Sequence, residues 1–206
     1  MFQGLWLCFI KLMSQTLVLA SSNRGKLQEL HSLLAPLGWD VRSQTDFHVP
    51  DADETGLSFV ENALIKARHA AQLTGLPAIA DDSGLCVPAL QGAPGIYSAR
   101  YAGEPSSDAR NNARLLVELS TKHDRRAYYY CALVWVQHAA DPTPLIATAA
   151  WHGEILTTPQ GDGGFGYDPL FWVDSENCTA AQLPSARKNT LSHRGQALRA
   201  LLAQVE

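Results

Sequence analysis

The chain has 206 residues, 46% hydrophobic and 17% charged, which fits one globular domain or two closely joined lobes with a sizeable core and speaks against disorder. Its formal charge of −4 argues against broad adhesion to a nucleic-acid backbone, so any phosphate it binds must meet a local basic cluster. The four cysteines, Cys8, Cys86, Cys131 and Cys178, are dispersed without a CxxC pair, which disfavours a zinc knuckle or a disulfide framework and fits a reducing cytoplasm.

The first twelve residues are apolar (Phe2, Leu5, Trp6, Leu7, Phe9, Ile10), yet a membrane-spanning helix needs ~20 such residues. No positive n-region or small-residue cleavage site precedes the next strand. Residues 1–13 therefore read as a non-native or mis-called extension, with Met13 as the natural start and an interfacial anchor as the other reading. No membrane partner is expected. Thr16 to Ala20 reads as a buried strand opening into Ser21-Ser22-Asn23-Arg24-Gly25-Lys26. Leu27, Leu30, Leu33, Leu34 and Leu37 then form the apolar stripe of a helix ending near Pro36 and Gly38. A strand, a small polar loop and a helix start make an anion site, because exposed N–H groups, hydroxyls, the Asn23 amide and the Lys26 ammonium all attract phosphate. The glycine spacing of a Walker loop is absent, and an ordinary N-cap with a solvated lysine reads the same residues.

An acidic loop, Asp51-Ala52-Asp53-Glu54-Thr55-Gly56, precedes a second helix announced by the capping box Ser58-Phe59-Val60-Glu61 and ending at Gly75. Lys66 follows Asn62 by one turn on that helix, and Glu54 is a candidate metal ligand with Asp82, while a solvated acidic loop and an exposed lysine account for the same residues. The run Pro77-Ala78-Ile79-Ala80 leads into Asp81-Asp82-Ser83-Gly84, read as a strand end where one carboxylate faces a cleft and the other anchors a turn. An Asx-turn accounts for the same four residues. Gly92 to Tyr101 is a loop, residues 106–121 a helix, and Ala127–Val136 with Leu145–Trp151 a long hairpin across the Asp141-Pro142-Thr143-Pro144 turn. Early helix-strand alternation with a late hairpin implies a mixed α/β sheet with flanking helices.

Two C-terminal clusters suit a planar ligand. In Gly163-Gly164-Phe165-Gly166-Tyr167-Asp168-Pro169, glycines let the backbone approach and present the Phe165 ring for stacking, while Asp168 offers a carboxylate to a base N–H. A packed core phenylalanine is the alternative. In Lys188-Asn189-Thr190-Leu191-Ser192-His193-Arg194-Gly195, Ser192 reads as an N-cap, with Leu198, Leu201, Leu202 and Val205 as the apolar stripe behind it. His193 and Arg194 then sit in a first turn, where cations oppose the helix dipole. With Lys188 they are donors awaiting acceptors: a purine 6-oxo group supplies one, whereas adenine's 6-amino group sets donor against donor. A structural salt-bridge cluster is the rival reading.

Together, Ser21–Lys26, Ala80-Asp81-Asp82-Ser83-Gly84-Leu85, Gly95-Ile96-Tyr97-Ser98-Ala99-Arg100, Phe165–Pro169 and Ser192–Gly195 resemble the motifs of the inosine/xanthosine triphosphate pyrophosphatase family (RdgB-like), in one order from about Thr16 to the C-terminus. The resemblance implies Mg²⁺-dependent hydrolysis of dITP, ITP and XTP to the monophosphate and pyrophosphate, clearing deaminated purines from nucleotide pools. It also implies an elongated mixed sheet with two lobes around a central substrate cleft, residues 14–206 as one such domain, a cytoplasmic homodimer, and no nucleic-acid partner. Residue by residue, it assigns Ser21, Ser22, Asn23, Arg24, Gly25, Lys26 and Lys66 to the triphosphate. Glu54 and Asp82 are assigned to Mg²⁺, Asp82 also to the general base, and Ser83 to the substrate beside it. Phe165, Gly166, Tyr167, Asp168, Lys188, His193 and Arg194 are assigned to the base pocket. Ser22 stands where the family commonly has glycine, and Arg187 where it commonly has glutamate. Two further readings are a nucleotide-binding module without hydrolysis and a pyrophosphatase for modified pyrimidines.

Overall fold

The computed structural model of the chain describes residues 16–34 and 38–204. The expectations for residues 1–13, Pro36, Leu37 and Val205 lie outside them. The elements in chain order are β1 (Thr16–Leu19), α1 (Arg24–Leu34), β2 (Asp40–Ser43), α2 (Phe59–Thr74), β3 (Ala78–Cys86), α3 (Asp108–Glu118), β4 (Arg126–Val136), β5 (Leu145–Ile155), β6 (Phe171–Val173), β7 (Cys178–Thr179), α4 (Ser185–Leu191) and α5 (His193–Leu202). The strands form one seven-stranded sheet ordered β2-β1-β3-β4-β5-β6-β7. β1 pairs parallel with β2 and β3, whereas β6 pairs antiparallel with β5 and β7, so the sheet is mixed as expected. Parallel pairing requires a crossover, which α1 supplies between β1 and β2 and α2 supplies before β3. No described helix is long and apolar enough to cross a membrane.

The described chain packs as two compact units, Met1–Asp81 with Leu133–Ala147 and Asp82–Ala132 with Thr148–Glu206. In the first, β1 is buried along most of its length, and Leu30 and Leu34 of α1 are fully buried. Each such leucine contributes about 1.5–3 kcal/mol relative to exposure. Ser58 accepts from the Glu61 N–H at the start of α2, and Gly75 at φ 69 closes it, as the capping residues require. Ala63, Ala67, Ala70 and Ala71 form its buried stripe, whose small side chains let the helix lie close on β1. The core of the second unit gathers Leu85, Val87, Leu115, Leu119, Tyr129, Trp151, Tyr167 and Phe171. Its aromatic rings meet at a tilt, Tyr129 to Phe171 at 4.7 Å and Trp151 to Phe171 at 5.1 Å.

One expectation is corrected. Asp81 and Asp82 do not end a strand: β3 continues through Ser83 and Gly84 to Cys86, and both carboxylates are buried. Gly84 is there for close approach instead of a turn, since a Cβ on it would strike the Ser98 hydroxyl and lie 2.5 Å from the Gly95 carbonyl oxygen. The Gly95–Arg100 segment, expected as loop, is a 3-10 helix packed on this strand. Gly84→Ala is therefore expected to cost about 1–3 kcal/mol through overpacking, read as a lower midpoint in urea denaturation. An unchanged midpoint would show that the segment yields freely. Strands β2, β6 and β7 and helix α4 had no counterpart in the sequence reading, being too short to show a hydrophobic period.

Candidate functional site

The expected site residues fall into two groups, each held within one unit. In the first unit, the turn after β1 is organised by its own side chains. The Asn23 N–H donates to Ser21 Oγ at 3.2 Å, and the Lys26 N–H donates to Asn23 Oδ1 at 3.1 Å, so Asn23 caps the start of α1. Ser22 Oγ donates to Asp51 Oδ2 at 2.8 Å, and Gln44 Nε2 donates to the other oxygen of Asp51 at 2.6 Å. Ser22 thus ties the turn to the acidic loop. Gly25 lies in the first turn of α1, and Arg24 opens that helix.

Both lysines expected at the triphosphate face carboxylates. Lys26 Nζ is 2.9 Å from Asp81 Oδ1, and Lys66 Nζ is 3.3 Å from Glu54 Oε1. These are different kinds of pair. The Asp81 side chain is fully buried and its lysine 15% exposed, so Asp81 holds the Lys26 ammonium in place. Glu54 is 27% exposed, so water and an added ligand both reach it. Asn62, one turn before Lys66, is buried and accepts from the Gly56 N–H at 2.8 Å, which fixes the acidic loop against α2.

In the second unit, Asp82 and Ser83 follow Asp81 along β3, and alternation along a strand sends the Asp82 side chain to the face opposite that of Asp81. Arg194 Nη2 donates to Ser83 Oγ at 2.8 Å. Arg194 and His193 open α5, where Ser192 accepts from the Gly195 N–H as predicted. Ser192 also ends α4, so one residue sets the angle between the helix carrying Lys188 and the helix carrying His193 and Arg194. Ser192→Ala should cost about 1 kcal/mol through the lost cap, seen as a fall of a few degrees in Tm. No change in Tm would show that the α4–α5 junction holds without it.

Around these residues Lys188 Nζ lies 2.6 Å from Asp168 Oδ2, with both side chains buried. The same Asp168 oxygen accepts from the Phe165 N–H at 2.9 Å, and its other oxygen accepts from Tyr129 at 3.2 Å. Asp168 thereby organises the loop, a role the sequence reading did not give it. Lys188 Nζ stands 4.8 Å from the Phe165 ring centroid, and the Arg194 guanidinium 5.9 Å from it, so two cations face one ring. His193 stacks on Tyr129 at 4.8 Å, with planes 8° apart. Tyr129 was missed; the signal was the period-two burial of Ala127, Tyr129 and Cys131 in β4, which faces it into the core. Tyr167 donates its hydroxyl to the Ser98 carbonyl at 2.8 Å, and burial raises its pKa. Arg187, the second departure from the family pattern, pairs bidentately with Glu176 at 2.6 and 3.1 Å, which holds Glu176 below its usual pKa. Its charge is thus committed to Glu176, and Lys188 keeps Asp168.

Among the described residues no three His, Cys, Asp or Glu side chains are grouped to hold a metal ion. Glu54 and Asp82 are hard oxygen donors, one partly exposed and one buried. Carboxylate oxygens are the donor type that Mg²⁺ takes, one or two at a time together with waters and substrate phosphates, and they do not suit a soft metal.

The model of the Ham1 family matches residues 17–204. A dITP/XTP pyrophosphatase of Aromatoleum aromaticum is 60% identical over 193 residues, covering 94% of this chain and 98% of that protein. A dITP/XTP pyrophosphatase of Vibrio cholerae is 56% identical over 192 residues, covering 92% of this chain and 96% of that one. A solved HAM1 protein from Coxiella burnetii is 49% identical with a TM-score of 0.86, covering 93% of this chain and 98% of that chain.

Proposed function

The chain belongs to the Ham1 family, and from that premise we propose that it hydrolyses non-canonical purine nucleoside triphosphates, dITP, ITP and XTP, to the monophosphate and pyrophosphate. The observation that carries this reading is the Phe165 ring faced by Lys188 and Arg194, with Lys188 fixed by a buried carboxylate. That arrangement supports stacking of a base and donation to a 6-oxo group, and it penalises a 6-amino group by leaving a buried donor unmatched. Related proteins bearing the name dITP/XTP pyrophosphatase support the same substrate class.

In this reading Ser21, Ser22, Asn23, Arg24, Gly25, Lys26 and Lys66 bind the triphosphate. Phe165, Gly166, Tyr167, Asp168, Lys188, His193 and Arg194 make the base pocket, and Ser83 positions substrate through its bond to Arg194. Asp82 orients a water and takes its proton as the water oxygen bonds to the phosphorus nearest the nucleoside. The bond from that phosphorus to the bridging oxygen breaks, and pyrophosphate leaves with the electron pair. Lys66 stabilises the charge that gathers on the phosphate oxygens by exchanging Glu54 for phosphate. Mg²⁺, held by Glu54 and Asp82, would supply further neutralisation of the leaving pyrophosphate. The same reading makes the enzyme a cytoplasmic homodimer that clears deaminated purines and acts without nucleic-acid or membrane partners.

The test is pyrophosphate release by the purified full chain from dITP, XTP, dATP and dGTP, with and without Mg²⁺. Metal-dependent release confined to dITP and XTP is the expected result. Release without metal would remove Mg²⁺ from the reading, and no release from any triphosphate would leave a nucleotide-binding module in its place.

A further inference from the structure

Helix α3 places Asp108 and Asn112 one turn apart on the same face. Both reach one residue of the loop that carries Phe165. The Gly166 N–H donates to Asp108 Oδ2 at 2.7 Å, and Asn112 Nδ2 donates to the Gly166 carbonyl oxygen at 2.8 Å. Gly166 has φ 64, a left-handed conformation that glycine adopts readily and that leaves the peptide free to rotate unless something outside holds it. A helix is a rigid support, and two bonds to both backbone groups of one residue fix its orientation as well as its position. Phe165 is the preceding residue, so the clamp fixes the peptide from which its ring projects.

The adjoining residues are tied to the same helix by a second route. Tyr167 donates to the Ser98 carbonyl at 2.8 Å, and the Ser98 hydroxyl accepts from the Leu85 N–H on β3 at 2.9 Å. Asn111 holds that 3-10 segment from α3, accepting from the Ala102 N–H at 2.7 Å and donating to the Ala99 carbonyl at 3.0 Å. Asp108 also stabilises the positive end of α3, as any first-turn carboxylate does. Asn112 has no such local duty, and asparagine is a poor helix former in a helix interior. Its presence there is accounted for by Gly166.

We propose that Asn112, with Asp108, is a positioning residue for base selection: the pair clamps both backbone hydrogen-bonding groups of Gly166 and so fixes the Phe165 ring against Lys188 and Arg194. The proposal rests on the pyrophosphatase reading above. It predicts that Asn112→Ala and Asn112→Asp impair discrimination between bases, the second more strongly because a carboxylate would face the Gly166 carbonyl.

The test measures kcat/KM for dITP and dATP in the wild type and both variants, together with Tm and hydrogen exchange at the Gly166 amide. The dITP-to-dATP ratio is expected to fall by about tenfold in Asn112→Asp, the scale of one lost hydrogen bond, while Tm stays within a few degrees. Equal losses on both substrates, or none, would overturn the proposal, since a merely structural role lowers both together. A wild type that hydrolyses neither substrate would defeat the pyrophosphatase reading instead. Gly166 exchange then tests whether the two bonds act as one clamp: acceleration by about tenfold or more in both variants, although Asp108 remains, supports it, and unchanged exchange shows that Asp108 holds Gly166 alone and overturns the role of Asn112.

Discussion

Asp82→Asn is expected to lower pyrophosphate release from dITP by about 10²–10⁴-fold, the span associated with losing a positioned general base. Asparagine keeps the shape of the side chain but cannot take a proton, and it weakens the hold on a cation. If Asp82 has the proposed role, the fold should tolerate the change, because a carboxylate kept buried for function is held at a cost to stability that its neutralisation relieves. The neighbouring carboxylate supplies the control. Asp81→Asn leaves Lys26 facing an uncharged partner in a place where the pair is almost wholly buried, so it should lower the denaturation midpoint. Two adjacent residues on opposite faces of one strand would then fail in different ways, Asp82→Asn in turnover alone and Asp81→Asn in stability and, through Lys26, in turnover as well. If Asp82→Asn kept wild-type turnover, the base would lie elsewhere.

The second large effect concerns stability. Asp168→Asn should destabilise the protein by about 3–5 kcal/mol, because it leaves the Lys188 ammonium buried without a counter-charge. The same change weakens the acceptor for the Phe165 N–H and the Tyr129 hydroxyl, so the loop loosens with it. Adding Lys188→Met removes the stranded charge, and the double variant should recover much of the loss, a non-additivity that a denaturation cycle measures directly. In the reading proposed above, base selectivity should not return with stability, since Lys188, one of the three donors proposed for the base, is then gone. A single-variant cost below about 1 kcal/mol would mean that the pair is effectively hydrated.

Much of the fold's first half was legible because its signals are local. Ser58, Glu61 and Gly75 delimit α2 through bonds made within four residues, and the leucines of α1 announce their buried face by spacing alone. The mixed sheet followed from helix-strand alternation before a long hairpin. The residues proposed for the site came from the resemblance of their motifs, lysines, carboxylates and glycine-flanked aromatics in one order, to those of the family. The arrangement of Asp81 and Asp82 misled at one point: Asp-Ser-Gly has the composition of a turn, and only the Gly95–Arg100 segment, packed against Gly84 from a distance in sequence, shows why glycine is needed inside β3.

What the sequence determined by itself is therefore the set of chemical groups, the principal helices and the family. Only the tertiary structure decided how those groups are used: that Lys26 belongs to Asp81, that Asp168 serves Lys188, Phe165 and Tyr129, and that Gly166 is held from α3. The physical reason is range. Caps and apolar stripes are written over one or two turns of chain, whereas a buried charge or a left-handed glycine takes its partner from residues 20 to 58 positions away, which no local pattern encodes.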